Sequence, residues 1–86
     1  MTRQEILELI ETVAEGAQVA VLDDMDEACL GIALTATPHL VYSRSKCIKV
    51  LQESGMSQDE AEEYFEYNTA RSLPYMGENN PVIVEP

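Results

Sequence analysis

Apolar and polar residues alternate along this chain in three helical patterns and several strand-like runs. In the first helical pattern, Thr2 and Glu5 have the spacing of a capping box, and Gly16 suits the left-handed position that ends a helix. The apolar positions between them recur every three or four residues: Ile6, Leu9, Ile10 and Val13. The pattern predicts a helix over about residues 3–15, with glutamates along its outer side.

A second helical pattern is capped by Ser43 or Ser45 and runs to about Ser54, before Gly55. Its apolar side consists of Cys47, Ile48, Val50 and Leu51. Three of the five basic residues of the chain lie early in this helix: Arg44, Lys46 and Lys49. Because the helix dipole does not favour cations there, we expect them to pair with acidic residues, and a small anion-binding spot is the alternative.

A third helical pattern begins near Gln58, where Ser57 and Glu60 form another capping box. One face of this helix is expected to pack: Ala61, Tyr64, Phe65 and Asn68. We expect Asn68 to be buried and to bond to the backbone of the loop near residues 73–77. Pro74 is expected to stop the helix after about Ala70. The short connection between the second and third helices predicts one αα unit.

Strand-like runs occupy much of the remaining chain. Two apolar runs on either side of Thr37-Pro38 predict a hairpin, whose first strand is expected to be central and covered on both faces or by the helices on one. In that strand Leu30, Ile32 and Leu34 are expected to share one face. Residues 18–22 suggest a further short strand or an irregular segment. Residues 82–84, between Pro81 and Glu85, predict an edge strand.

These elements predict one α+β domain over residues 1–86. Its expected core is a small, mostly antiparallel sheet of three to four strands. One N-terminal helix and the helix-turn-helix αα unit are expected to pack on that sheet.

Charge narrows the classes of partner. Sixteen acidic and five basic residues give a formal net charge of −11, which repels nucleic acid and anionic membranes and attracts basic proteins. No apolar run approaches the roughly 18 residues of a membrane span, and the N-terminus carries acids where a signal peptide is basic. We therefore expect a cytoplasmic protein, with Cys29 and Cys47 reduced in the core and a disulfide between them as the minor alternative.

Candidate chemistry is sparse. The sequence contains no CxxC, HExxH, GxSxG, Walker or GxGxxG motif. The acidic run of Asp23, Asp24, Asp26 and Glu27 lacks the spacing and the glycine of an EF-hand loop. His39 is a lone histidine beside a proline, expected to be exposed or locally bonded. We therefore predict a chain that is not an enzyme and has no metal ligands or cofactor.

The third helix carries the candidate binding residues. Its carboxylates are expected to face away from the packing side, and one tyrosine among them is expected to be partly exposed, as an interface anchor is. The predicted partner-binding residues are Asp59, Glu62, Glu63, Glu66 and Tyr67.

The C-terminal two thirds of the chain, residues 28–86, also carries a resemblance. The pattern consists of an LxGIA-type strand, a Val-Tyr turn, a GM[ST]xxEA helix start, an EYFxYN segment and a terminal GExxPVI. Here these are Leu30 to Ala33, Val41-Tyr42, Gly55 to Ala61, Glu63 to Asn68 and Gly77 to Ile83. The chain resembles a family of small uncharacterised proteins encoded by phages and prophages.

The resemblance implies a phage accessory product, without a known activity. By analogy with other small acidic phage proteins, it suggests an inhibitor that occupies the basic, nucleic-acid-binding surface of a host defence complex. An inhibitor of this kind can imitate the phosphates of DNA with its carboxylates, which requires the two anionic helices to lie side by side. The alternative is a homodimeric accessory or structural protein whose acidity serves only solubility.

Overall fold

The structure, a computed structural model that describes residues 1–85, combines three α-helices with a three-stranded sheet. The strands are β1 (Cys29–Leu34), β2 (Pro38–Ser43) and β3 (Val82–Val84), in the order β1-β2-β3. β1 and β2 form the predicted antiparallel hairpin, whereas β3 runs parallel to β2. The α+β class is therefore confirmed, but the sheet is mixed rather than mostly antiparallel. A helical crossover between β2 and β3 returns the chain to the same end of the sheet, which makes that pair parallel.

The helices are α1 (Arg3–Val13), α2 (Arg44–Glu53) and α3 (Gln58–Tyr64). Both predicted capping boxes are present, one at the start of α1 and one at the start of α3. Ser43 is the cap of α2, since its hydroxyl accepts the N–H of Lys46 at 3.2 Å. Within residues 1–85, no helix has the length and apolar content needed to cross a bilayer.

The chain stays helical beyond α3. A π-helical turn, Phe65–Thr69, follows α3 directly, and a 3₁₀ segment, Ala70–Tyr75, follows the π turn. Pro74 lies inside the 3₁₀ segment, so the expectation that it stops the helical path is wrong. The fixed φ of proline, near −65°, falls within the range of 3₁₀ geometry, which explains why the segment accepts it.

Residues 18–22 form an irregular segment and not a strand. Two of its backbone N–H groups donate to acceptors other than strand carbonyls. Ala20 N–H donates to the carbonyl of Asn79 at 3.1 Å, and Leu22 N–H donates to the hydroxyl of Tyr42 at 3.1 Å. With these donors committed to a loop and a side chain, the segment packs against the sheet without joining it.

β1 lies at an edge of the sheet, which corrects the expectation of a covered central strand. A bulge between Cys29 and Gly31 inserts Leu30 as an extra residue, and Gly31 takes a φ of 151°. Leu30 and Leu34 keep 45% and 64% of their surface exposed. The expected buried face through Leu30, Ile32 and Leu34 is therefore wrong.

The core is centred on β2. Its residues Leu40 and Tyr42 are completely buried and pack against one fully buried residue from each of the three helices. Those helical residues are Ile6, Cys47 and Ala61. Cys29 and Cys47 are both buried thiols in this cluster and form no disulfide, in agreement with the sequence prediction.

The polar anchors of the C-terminal segment differ from those expected. Asn68 is exposed and donates only to the carbonyl of Tyr64 one turn earlier, at 3.2 Å, so its predicted burial is wrong. Asn80 instead donates to the carbonyl of Leu73 at 3.1 Å, and its own carbonyl lies 2.7 Å from Nδ1 of His39. Asn80, in the loop before β3, therefore holds the 3₁₀ segment.

This assignment predicts different outcomes at the two asparagines. Asn80→Ala is expected to lower the free energy of unfolding by about 1 kcal/mol, because the half-buried carbonyl of Leu73 loses one of its two donors and keeps only the N–H of Met76. Asn68→Ala is the matched control and is expected to change stability by less than about 0.5 kcal/mol. Urea unfolding followed by circular dichroism measures both. A larger loss for Asn68→Ala than for Asn80→Ala contradicts the assignment.

Two buried groups give the fold a dependence on alkaline pH. Burial raises the pKa of the Tyr42 hydroxyl from its ordinary 10.0 to about 12, and that of the Cys47 thiol from 9.0 to about 11. The unfolded chain releases both protons at lower pH than the folded chain does. The free energy of unfolding is therefore expected to fall as pH rises from about 9 to about 12.

Tyr42→Phe tests the share of Tyr42 in this dependence. At neutral pH the variant is expected to lose about 1 to 3 kcal/mol, because the buried N–H of Leu22 loses its acceptor. Its stability is also expected to fall less steeply than that of the wild type above pH 10. Tyr75→Phe, at a tyrosine that is 90% exposed, is the control. Identical alkaline slopes for Tyr42→Phe and the wild type refute the role of Tyr42.

Candidate partner-binding surface

The candidate surface is a shallow groove of about 440 Å³ along one side of α3 and the π turn. Its side chains are spaced three or four residues apart, so successive helical turns place them on one side. The residues that line it are Met56, Glu60, Glu63, Tyr64, Tyr67 and Asn68. We call this surface the α3 groove.

The carboxylate of Glu60 has a fixed position in the α3 groove. Its Oε1 accepts the N–H of Ser57 at 3.0 Å, while the Ser57 hydroxyl accepts the N–H of Glu60 at 3.2 Å. The hydrogen bond from the Ser57 backbone lowers the pKa of Glu60, and the bond from the Ser57 hydroxyl lowers it further. The groove therefore has one ordered, ionised carboxylate at neutral pH.

Two tyrosine rings form the aromatic part of the α3 groove. Tyr67 is 58% exposed, which agrees with the prediction of a partly exposed tyrosine among the glutamates. Tyr64 was expected to pack in the core but is 42% exposed. Ala61 and Phe65 fill the buried side of the helix and leave Tyr64 outside the core, beside Glu60 and Glu63.

The five predicted binding residues divide between two adjacent sides of the helix. Glu63 and Tyr67 line the α3 groove. The other three follow a second stripe at the spacing of one and two helical turns: Asp59, Glu62 and Glu66. We call this second set the acidic stripe.

The acidic stripe is partly neutralised at one end. Nη2 of Arg44 lies 3.3 Å from Oε1 of Glu66, and Nε of Arg44 lies 3.6 Å from Oε1 of Glu85. The predicted pairing of a basic residue in α2 with an acid across the αα unit is thus confirmed for Arg44. Glu62 is half-buried and accepts the side-chain amide of Gln58 at 3.5 Å, whereas Asp59 is exposed. Of the predicted binding residues, Asp59 and Glu63 are therefore the acids without an ion pair or hydrogen bond to residues 1–85.

An internal guanidinium already lies against one of the groove tyrosines. The guanidinium carbon of Arg71 is 4.7 Å from the ring centroid of Tyr67, within the range of a cation–π contact. Among residues 1–85, Arg71 forms no ion pair, and it does not line the α3 groove. The contact indicates that this ring accepts a planar cation.

Two other groups of acids lie beside basic residues, whereas Glu11 and Glu15 are exposed and form no ion pair within residues 1–85. Arg3 binds Asp26 through two atom pairs, Nε to Oδ2 at 3.0 Å and Nη2 to Oδ1 at 2.9 Å, and also lies 3.8 Å from Asp23. The part of the chain that the structure describes contains no group of three or more potential ligands arranged for a metal ion. Lys46 and Lys49 share a groove of about 250 Å³ with Glu27 and Glu53, so carboxylates offset the predicted anion spot.

The two acidic helices are not packed side by side. α1 packs on β1, whereas α3 packs on α2. An array of carboxylates that imitates a nucleic-acid duplex across both helices is not supported by this arrangement.

The α3 groove contains residues that the sequence analysis did not select. The sequence places Met56 and Glu60 at the helix start, and Tyr64 and Asn68 on the packing face. Their spacing relative to Glu63 and Tyr67 was the available signal, since these positions fall on successive turns of one helix side.

Comparison with known proteins identifies no relative: no family model, no curated protein and no solved structure matches the chain.

Proposed function

We propose that this chain is a non-enzymatic interaction protein that binds a basic protein through the α3 groove and the adjoining Asp59. The observation that carries the proposal is the groove itself, where two carboxylates adjoin two partly exposed tyrosine rings. Exposed aromatic side chains beside charged groups are typical of residues that dominate binding energy at protein interfaces. Tyr67 is the proposed anchor, and the carboxylates set the sign of the charge on its partner.

The overall charge supports the same class of partner. A net charge of −11 on 86 residues attracts a basic surface before contact, over a distance set by a Debye length of about 8 Å at physiological salt. Such steering accelerates association and suppresses contact with acidic proteins. The same field repels nucleic acid and anionic membranes, so neither is a proposed partner.

The most concrete form of this function is inhibition of a host defence complex in the cytoplasm. The inhibitor would cover a basic surface that otherwise binds nucleic acid. The support for this form is the resemblance of residues 28–86 to small phage and prophage proteins, together with the acidity of the chain. It requires one anionic surface patch of the kind found on α3, and not a duplex-like array.

A charge-matched pair of variants tests the proposed surface. Asp59→Asn with Glu63→Gln removes two charges from it, and Glu11→Gln with Glu15→Gln removes two charges from exposed positions in or just after α1. Proteins captured from bacterial lysate by the wild type at low and moderate salt identify a partner, whose affinity is then measured by calorimetry. We expect the α3 variant to bind about tenfold more weakly and the α1 variant to bind like the wild type.

Salt provides the internal control for this comparison. The difference between the α3 variant and the wild type is expected to shrink as salt screens the charges. All four substituted side chains are exposed, so each change is expected to alter stability by less than about 0.5 kcal/mol. If the α1 and α3 variants weaken partner binding equally, the loss of affinity depends only on net charge, and the proposed surface is contradicted.

A second candidate function is the homodimeric accessory protein, and the exposed edge of β1 favours it. This strand, CLGIAL, contains no charge and no proline, two of the features that protect sheet edges from pairing, and beyond its bulge residues 31–34 pair regularly with β2. Leu30 and Leu34 add exposed apolar surface there. Two copies that pair along β1 would extend the sheet across a symmetric interface.

This candidate predicts a dimer whose formation depends on β1. Sedimentation equilibrium is expected to give twice the chain mass for the wild type and a single chain mass for Leu34→Lys. Leu7→Lys, at another exposed leucine but on α1, is the control and should remain dimeric. A wild-type protein that sediments as a monomer at all concentrations excludes the candidate.

A further inference from the structure

We infer that the α3 groove is a receptor for an arginine side chain of the partner protein. The inference rests on the proposed function and specifies its chemistry: the guanidinium enters between the carboxylates and the tyrosine rings. It follows from three features of the groove, which are an ordered anion, aromatic surface and an uncommitted amide oxygen.

The carboxylates supply the charge complementarity. Glu60 uses Oε1 for the capping bond to Ser57, which leaves its second oxygen for a ligand. Glu63 is exposed and forms no hydrogen bond or ion pair with residues 1–85. Because Glu60 is already ordered by the cap, binding a cation there costs less side-chain entropy than ordering two free glutamates.

The rings supply the surface for stacking. Tyr64 and Tyr67 both line the groove, and the contact of Arg71 with Tyr67 is an internal example of the same interaction. A guanidinium stacks on an aromatic face more readily than an ammonium does, because it is planar and weakly hydrated. Met56 adds apolar surface for the aliphatic part of an incoming side chain.

The arrangement of acceptors favours arginine over lysine. Asn68 donates its Nδ2 to the carbonyl of Tyr64, so its Oδ1 remains as an acceptor beside the two carboxylates. Arginine presents five N–H donors in a fixed plane, whereas lysine presents three around one point. Several acceptors around a stacking surface match the arginine geometry.

Titration with short peptides tests this receptor without knowledge of the partner. The probes are the capped tripeptides Gly-Arg-Gly, Gly-Lys-Gly and Gly-citrulline-Gly, and the readout is the NMR shift of the Tyr64 and Tyr67 rings and the Met56 methyl group. With the arginine peptide these shifts are expected to saturate. The lysine peptide should bind more weakly, and the uncharged citrulline peptide should leave the signals unchanged.

Two substitutions with matched controls assign the binding to the groove. Tyr67→Leu and Glu63→Gln are each expected to weaken the arginine peptide about two- to fivefold. Tyr75→Leu, at an exposed tyrosine outside the groove, and Glu11→Gln, at an exposed acid of α1, should leave its affinity unchanged. Equal binding of the arginine and lysine peptides, shifts without saturation, or equal weakening by variants and controls overturns the inference.

The peptide test and the partner test fail independently. Suppose that the groove binds the arginine and lysine peptides equally, but the variant with Asp59→Asn and Glu63→Gln loses the captured partner. The arginine receptor is then wrong and the proposed interaction surface stands. If the arginine peptide binds as expected but the α1 and α3 variants weaken partner binding equally, the receptor stands and the proposed partner-binding function is wrong.

Discussion

The hydrogen bond from the Leu22 amide to the buried hydroxyl of Tyr42 ties the irregular segment between α1 and β1 to the central strand of the sheet. Tyr42 lies on the central strand, where its ring packs with residues from every helix in the core cluster. Arg3 binds Asp26 and donates to the carbonyl of Leu22, so α1 is fastened to the same irregular segment. A chain of this size has a small core, so one buried polar contact is a larger share of its stability than it would be in a larger domain.

The distribution of the few basic residues determines where negative charge remains uncompensated. Arg3 neutralises part of the acidic run near Asp26, and Arg44 lies between Glu66 and Glu85. Lys46 and Lys49 share a second groove with Glu27 and Glu53. The α3 groove receives none of these cations, and the arginine nearest to it stacks on Tyr67 without reaching a carboxylate in residues 1–85. The groove is therefore an anionic surface that the rest of the described chain leaves unpaired.

Features determined by neighbouring residues were predictable from the sequence, whereas features determined by distant residues were not. The capping boxes at Thr2 and Ser57 and the hairpin around residue 37 depend on side chains a few positions apart, and all three are present. The edge position of β1 depends on β3 pairing with the other side of β2, more than 40 residues later in the chain. Similarly, the anchor of Leu73 is Asn80 rather than Asn68, because the return of the chain beside the sheet brings Asn80 to that carbonyl.

The parallel pairing of β2 with β3 also has a consequence for the order of folding. This pairing encloses residues 44–81, which include α2, α3 and the whole α3 groove, in one long loop. Hairpin contacts between β1 and β2 are local and close at small entropic cost, whereas β3 docks only after the long loop is closed. During synthesis β3 emerges from the ribosome after every other element described here, so the sheet is completed only once the groove-bearing helices have been made.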